Sequence, residues 1–244
     1  MDLPIELLDT FLAFLITAVG ATLQGSIGFG LGLISVPLLV LIEPKFVPGP
    51  LLLAALCLTL LIAYRDHQTI NIREIGWAIV GRILGSILGA VVLLLIPRED
   101  ISLLAGSMVL LAILISVAGL SLPLNRASLI GAGTFSGLMG TTSAIGGAPM
   151  ALVYQHQKGP QLRGSLSSIF VFGTLIGIVT LIAIGRFGGT EMRLALVILP
   201  GIFAGFLLSN TTSKILDKGF IRPAVLLAAT ASGLVVVLRY FSVM

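Results

Sequence analysis

The chain has 244 residues, of which 57% are hydrophobic and only 10% carry a charge. In a soluble globular domain about a quarter of the residues are charged. This composition and the mean hydropathy of +1.15 therefore predict an integral membrane protein. The net charge of +4 indicates topology rather than nucleic-acid binding, and the single cysteine, Cys57, excludes an internal disulfide and a multi-cysteine metal site.

Eight apolar segments follow one another, with short polar connections. They are residues 10–42, 46–64, 75–96, 101–122, 127–155, 164–184, 192–209 and 219–242. A membrane span needs about 20 residues, and all but the first and fifth segments fit that length. As straight helices rising about 1.5 Å per residue, these two would far exceed a hydrocarbon core of about 30 Å. They must therefore tilt strongly, break or double back.

Both overlong segments contain glycines followed by a proline in the pattern G-x-x-G-x(8)-P. The members are Gly25, Gly28 and Pro37 in the first, and Gly137, Gly140 and Pro149 in the fifth, at an offset of 112. A G-x-x-x-G pattern recurs at an offset of 116, as Gly85 and Gly89, then Gly201 and Gly205. The chain is therefore predicted to be an all-α membrane protein of two repeats, residues 1–122 and 123–244, with about four segments each.

The stretch QGSIGFGLGLISVP, residues 24–37, has three interpretations. A nucleotide loop is excluded, because it needs a strand before the glycines and a soluble helix after them. Close helix packing through small residues is a second. A broken helix, whose free N–H groups suit an anion, is the third, and interrupted segments at matching positions are typical of a transporter site. We predict structural breaks marked by Pro37 and Pro149.

The sequences GSIGFGLGLISVPLLVL (25–41) and SGLMGTTSAIGGAPMALVYQ (136–155) resemble the sulfite exporter TauE/SafE family, also called TSUP transporters. Residues 61–91 and 193–208, which follow each stretch, extend the resemblance over most of the chain. It implies two related halves, each opening with a glycine-rich segment that ends in proline. It also implies transport of sulfur-containing or other organic anions across the bacterial inner membrane.

The ionisable residues argue against catalysis. All ten carboxylates and both histidines lie near segment ends or in connections. An intramembrane hydrolase or protease would need such groups at mid-membrane, so we predict no enzyme, no cofactor and no metal site. An anion carrier needs no buried acid, since N–H groups, hydroxyls and a cation bind its substrate.

We expect the glycine-rich segments of both halves to meet near the bilayer centre and share one substrate site. The first half contributes Gln24, Ser26, Gly28, Gly30 and Gly32, and the second contributes Gly140, Thr141, Thr142, Ser143, Gly146 and Gly147. Glycine permits unwound backbone with exposed N–H groups, and the hydroxyls add donors without fixed charge. The alternative for the hydroxyls is a bond to a carbonyl one turn back in their own helix.

Arg82 is the one charge well inside an apolar segment. It either faces the anion path or snorkels to an interface marked by Trp77. Arg163 is interpreted as a topology charge, and Tyr154 as a residue of the interfacial aromatic belt.

The basic residues other than Arg82 test the topology. If each overlong segment simply spans the membrane, six basic residues lie on one side and seven on the other. If both segments double back as hairpins, eight lie on one side and five on the other. The larger set is Arg65, Arg73, Arg126, Lys158, Arg163, Lys214, Lys218 and Arg222; the smaller is Lys45, Arg98, Arg186, Arg193 and Arg239. Because cytoplasmic loops carry the excess of basic residues, we predict hairpins, inverted repeats and both termini outside.

The sequence thus predicts a secondary transporter or facilitator for a small sulfur-containing or organic anion in the bacterial inner membrane. Its partners are the anion and the lipid bilayer, with no nucleic acid, and a homo-oligomer is left open. A passive anion channel and a non-transporting membrane scaffold are the alternatives.

Overall fold

The computed structural model describes residues 6–67, 72–118, 120–157, 159–216 and 222–243, which form ten α-helices and no strand. The helices are α1 (Leu7–Ile27), α2 (Leu31–Ile42), α3 (Gly49–Arg65), α4 (Ile72–Leu95), α5 (Ile101–Val117), α6 (Arg126–Ser143), α7 (Gly147–Tyr154), α8 (Gly159–Ala183), α9 (Gly189–Leu216) and α10 (Arg222–Val243). Five apolar stretches are long enough to cross a bilayer: Leu7–Ile27, Glu74–Leu95, Arg98–Val117, Gly159–Ala183 and Gly189–Ser213. The all-α, multi-pass membrane fold is confirmed.

Both overlong segments break at a residue with positive φ. Gly28 ends α1 with φ of 92°, and its N–H donates to the carbonyl of Gln24 at 2.8 Å. Gly30, with φ of 129°, precedes α2. In the second half Ala144, with φ of 60°, ends α6 in the same left-handed conformation. Glycine reaches this region without steric cost and alanine reaches it rarely, so the second break was harder to locate in the sequence.

After each break the chain doubles back along itself. In the first half Ser35 of α2 donates a hydrogen bond to the carbonyl of Ile16 in α1, at 3.4 Å. In the second half the hydroxyl of Ser136 in α6 donates to the carbonyl of Gly146, at 2.5 Å. The two segments are therefore helical hairpins, α1–α2 and α6–α7, and not single long spans.

The prediction that prolines mark the breaks is wrong. Pro37 lies inside α2, and Pro149 lies in the first turn of α7, where a missing N–H matters little because first-turn N–H groups have no intrahelical partner. Gly30 and Gly146, which immediately precede α2 and α7, are 116 residues apart (146 minus 30). The offset of 112 suggested by the prolines therefore aligned the two hairpins one helical turn out of register.

Helix α1 runs parallel to α9 in close contact. Gly201 lies against Phe14 and Thr17, and Gly205 lies four residues further along α9 against Ala18. A Cβ at either glycine would overlap atoms of α1. The G-x-x-x-G pattern of the seventh segment is thus a packing surface for the first hairpin.

Helix α4 runs parallel to α6 in the corresponding way. Gly81 lies against the carbonyl of Ile130, and Gly85 lies against the carbonyl of Thr134. Each half therefore supplies a glycine-lined helix that packs on the hairpin of the other half. This reciprocity supports the two-repeat organisation; the duplication and the division at residue 122 stay predictions.

The two hairpins enter from opposite faces of the protein. In the turn between α8 and α9, Arg186 donates to the carbonyls of Leu93 and Ile96, at 2.7 and 2.9 Å. The end of α4 and the start of α9 therefore share one face, which we call the Arg186 face. Since α1 runs parallel to α9 and α6 runs parallel to α4, the hairpins point in opposite directions.

The opposite face is called the Arg65 face, after the last residue of α3. Lys45, Arg98 and Arg186, from the smaller predicted basic set, line one surface pocket at the Arg186 face, while Arg65 contacts Ser209 near the other end of α9. Lys158 and Lys218, used for the same prediction, lie outside the described residues.

Candidate functional site

The tips of the two hairpins touch each other. Gly32, in the first turn of α2, lies against Ala144, and a Cβ on Gly32 would be 2.5 Å from the Ala144 carbonyl oxygen. Gly147, at the start of α7, lies against Phe29, and a Cβ there would be 3.0 Å from the Phe29 Cβ. The two glycine-rich segments are in direct contact because these positions have no side chain.

A cavity of about 40 Å³ lies at this contact. A buried water needs about 10–15 Å³ by this measure, so the cavity has the size of about three waters or one small polyatomic ion. Seven of the predicted site residues line it: Gln24, Gly30, Gly32, Arg82, Gly140, Gly146 and Gly147. The lining also includes Thr59, Phe170 and Thr174, which the sequence reasoning missed.

Two helices begin at the cavity. The first N–H of α2, from Leu31, donates to Oε1 of Gln24 at 3.3 Å. The next N–H groups, of Gly32 and Leu33, have no intrahelical carbonyl to bond, and the same holds for Gly147 at the start of α7. Helix N-termini carry partial positive charge and free donors. Both hairpins therefore present a helix N-terminus to one cavity.

Arg82 adds a full positive charge to the lining. It lies near the middle of α4 and is 2% exposed. Nη1 donates to Oγ of Ser136 at 2.7 Å, and the guanidinium carbon lies 5.5 Å from the centroid of the Phe170 ring. Nε is buried without a hydrogen-bond partner among the residues that the structure describes. The snorkelling interpretation is wrong, because the guanidinium lies between α4, α6 and α8.

Gly173 of α8 makes room for this guanidinium. A Cβ at position 173 would overlap Nε and the guanidinium carbon of Arg82. The backbone of α8 therefore forms a flat surface under the cation, in a helix that carried no predicted site residue. The only sequence signal for this role is a glycine within an apolar helix, and ordinary helix packing explains such a glycine equally well.

The remaining predicted residues of the first half, Ser26 and Gly28, lie beside the cavity lining. The Ser26 hydroxyl is 3.0 Å from the Thr212 hydroxyl, so it links α1 to α9. Gly28 lies against Leu166 and Arg163 of α8. Both residues hold the tip of the first hairpin in place.

The three predicted hydroxyls of the second half also lie outside the lining. Thr141 donates to the hydroxyl of Ser86 in α4 at 3.0 Å. Thr142 donates to the Leu138 carbonyl at 2.9 Å, and Ser143 donates to the Met139 carbonyl at 2.7 Å. Thr142 and Ser143 therefore bond to the preceding turn of their own helix, which was the alternative to donating to an anion.

An ionic cluster that the sequence did not reveal holds the first hairpin tip on the Arg65 face. Arg163 donates from Nη1 to the Ser26 carbonyl at 3.0 Å and from Nε to Oδ2 of Asp66 at 3.2 Å. Arg65 donates to the Gly25 carbonyl at 2.6 Å and also pairs with Asp66. Cations stabilise the carbonyl end of a helix. Arg163, interpreted from the sequence as a topology charge, is thus part of the ionic cluster that holds the first hairpin tip.

An apolar cluster lies on the other side of the cavity, toward the Arg186 face. Its buried members are Leu52, Leu93, Ile178 and Leu181. They come from the start of α3 and the ends of α4 and α8. Ion pairs therefore flank the cavity toward one face, and apolar side chains flank it toward the other.

Tyr154 is not an interfacial belt residue. It is completely buried at the end of α7, in a cluster with Ile75, Ala78 and Leu129. The C-terminal end of the α6–α7 hairpin is therefore packed inside the protein.

Within the described ranges, no three His, Cys, Asp or Glu side chains come together as a metal site. Comparison with protein families gives a match to the family described as Sulfite exporter TauE/SafE, over residues 12–236. Searches of curated proteins and of solved structures gave no match.

Proposed function

The chain belongs to the Sulfite exporter TauE/SafE family of membrane transporters, and on that premise we propose that it carries a small sulfur-containing or organic anion across the bacterial inner membrane. The anion binds in the cavity between the hairpin tips. The N–H groups of Gly32, Leu33 and Gly147 and the guanidinium of Arg82 are its donors.

The buried Arg82 is the observation that carries this proposal. Ionisable groups inside a membrane are expensive and mark substrate paths. A guanidinium has five N–H donors, and the Nε–H of Arg82 has no partner among the described residues. An anion at this edge supplies the missing acceptor and neutralises the charge. The two helix N-termini at the same cavity add partial positive charge that does not titrate.

The packed side chains that flank the cavity toward each face favour a carrier over a channel. Ion pairs at Asp66 lie toward the Arg65 face, and the cluster around Leu52 lies toward the Arg186 face. Conduction through a channel requires a continuous path. A carrier opens its site to one face at a time, often by movement of one repeat against the other.

A ligand screen tests the proposal. Purified protein is heated with sulfite, sulfate, thiosulfate, methanesulfonate or acetate, and its unfolding temperature is measured. A ligand that binds the folded state raises this temperature by mass action. We expect at least one small anion to do so, and to be transported into proteoliposomes with a flux that saturates. Stabilisation by none of them favours the scaffold alternative, and flux that does not saturate favours a channel.

A further inference from the structure

Resting on the proposed function, we infer that the cavity selects singly charged anions, and that it takes a diprotic oxyacid as the monoanion that keeps one proton. The inference concerns which protonation state of the substrate is bound. It follows from the charges and the hydrogen-bonding groups that line the cavity.

The charge balance favours a monoanion. Among the described residues that line the cavity, Arg82 is the one ionisable group. The other charged residues whose side chains are described on the surrounding helices α3, α4, α6 and α8 are Arg65, Glu74, Arg126 and Arg163, with Asp66 just beyond α3, and none of them lines the cavity. A buried charge is tolerated when a partner neutralises it. One negative charge neutralises the formal charge of Arg82, whereas the second charge of a dianion faces only the partial charges of the two helix N-termini.

The hydroxyls of the lining favour a ligand that still carries a proton. Thr59 of α3 donates its hydroxyl proton to the Ala55 carbonyl at 2.9 Å. Thr174 of α8 donates to the Phe170 carbonyl at 2.7 Å. A hydroxyl has one proton and two lone pairs. Because both protons are committed to the hydroxyls' own helices, these oxygens can only accept a hydrogen bond from the ligand.

The donors and the acceptors of the cavity therefore come from different helices. The hairpin helices α2 and α7, together with Arg82, supply N–H groups, while α3 and α8 supply hydroxyl oxygens. An anion with one O–H group satisfies both sets. A fully deprotonated oxyanion brings its oxygens against the lone pairs of Thr59 and Thr174, which is unfavourable.

Calorimetric titration at several pH values separates the two forms of one substrate. The probe is sodium sulfite, measured on both sides of the equilibrium between hydrogensulfite and sulfite. Methanesulfonate is the matched control, because it is singly charged throughout and has no acidic proton. Above the pH at which hydrogensulfite and sulfite are equally abundant, we expect the affinity for total sulfite to fall about tenfold per pH unit. The affinity for methanesulfonate should stay constant.

Each outcome has a separate meaning. A sulfite affinity that stays flat or rises as the dianion accumulates overturns the inference but leaves anion transport standing. Failure of every anion in the screen to bind at any pH overturns the proposed function, and the inference with it. A parallel fall for methanesulfonate assigns the pH dependence to the protein, which also overturns the inference.

A pair of substitutions tests the acceptor role of the hydroxyls. Thr59→Val and Thr174→Val keep the side-chain shape and remove the oxygen. We expect each to weaken hydrogensulfite binding by about tenfold and to leave methanesulfonate binding unchanged. Thr174→Ser keeps the hydroxyl and should therefore bind hydrogensulfite like the parent protein. Thr180→Val is the matched control, since this α8 hydroxyl bonds its own helix at 2.8 Å and does not line the cavity. Equal losses for both ligands, or none for either, overturn the acceptor role.

Discussion

Arg82 donates a 2.7 Å hydrogen bond from Nη1 to the hydroxyl of Ser136, 54 residues later in the chain. The Ser136 hydroxyl donates in turn to the carbonyl of Gly146. The cation of the first half is therefore oriented by the hairpin of the second half, beside the residue that immediately precedes α7.

Replacing Arg82 separates its charge from its shape. We expect Arg82→Gln to weaken anion binding by at least about tenfold, since a hydrogen bond to a charged group contributes about 1.5–3 kcal/mol. Arg82→Lys keeps the charge but loses the planar fork, and an intermediate loss is expected. Calorimetry on purified variants measures both, with Arg126→Gln as the control cation outside the cavity. A folded Arg82→Gln variant that binds anions like the parent would contradict the assigned role.

Gly173→Ala tests the surface on which the guanidinium lies. The added Cβ overlaps Arg82, so the cation must move, and we expect weaker binding and a lower unfolding temperature. In an Arg82→Gln background the same change should be less damaging, because interacting positions are not additive. Gly131→Ala is the matched control, since nothing lies within 4 Å of a Cβ at that helical glycine. Equal stability losses in both backgrounds would show that Gly173 acts independently of Arg82.

Thr142→Val and Ser143→Ala are expected to leave anion affinity unchanged. Both hydroxyl protons are committed to carbonyls of α6, and neither residue lines the cavity. This reverses the effect that follows from the sequence alone, where the two hydroxyls were expected to donate to the anion. Calorimetric titration of the two variants decides between these roles. A loss of tenfold or more would restore the hydroxyls as direct ligands.

The ionic cluster at the first hairpin tip predicts a stability effect that a double variant can isolate. Removing one partner of a buried ion pair is destabilising by about 3–5 kcal/mol. We expect Asp66→Asn and Arg163→Gln each to lower the unfolding temperature, and the double variant to be less destabilised than the sum of the two. Thermal unfolding in detergent measures this. Strictly additive effects would mean that the 3.2 Å contact between the two side chains contributes nothing.

Cysteine labelling tests the arrangement of the hairpins across the bilayer. In a Cys57→Ser background, Lys45→Cys and Arg98→Cys should react from the same side as the N-terminus, and Arg126→Cys from the opposite side. From the positive-inside rule we expect the Arg65 face to be cytoplasmic, so an impermeant reagent added outside should label positions 45 and 98. Labelling of position 45 from the side opposite to the N-terminus would contradict the hairpin.

The sequence was sufficient for the breaks but not for their exact positions. Segment length against bilayer thickness showed that residues 10–42 must tilt strongly, break or double back, and glycine content favoured a break. The exact position of the second break was not predicted, because Ala144 has the left-handed conformation there that Gly28 has in the first half. Without the glycine, the prolines suggested the wrong alignment.

The missed site residues were beyond the reach of sequence patterns for a different reason. Asp66 and Arg163 are 97 residues apart and meet because the end of α3 and the start of α8 lie at one face. Thr59 and Thr174 are single hydroxyls in apolar helices, where a bond to the preceding turn is the common explanation. Only the cavity between the hairpin tips distinguishes them from the other threonines.

The position of Arg82 also constrains how the protein is made. Helix α4 leaves the ribosome before Ser136, Phe170 and Gly173 have been synthesised, and an arginine at the centre of an inserting helix costs about 2.5–3.5 kcal/mol. The nascent first half thus reaches the lipid with its guanidinium lacking the contacts that α6 and α8 later provide. The contacts that stabilise this buried cation therefore form only after the second half has been synthesised.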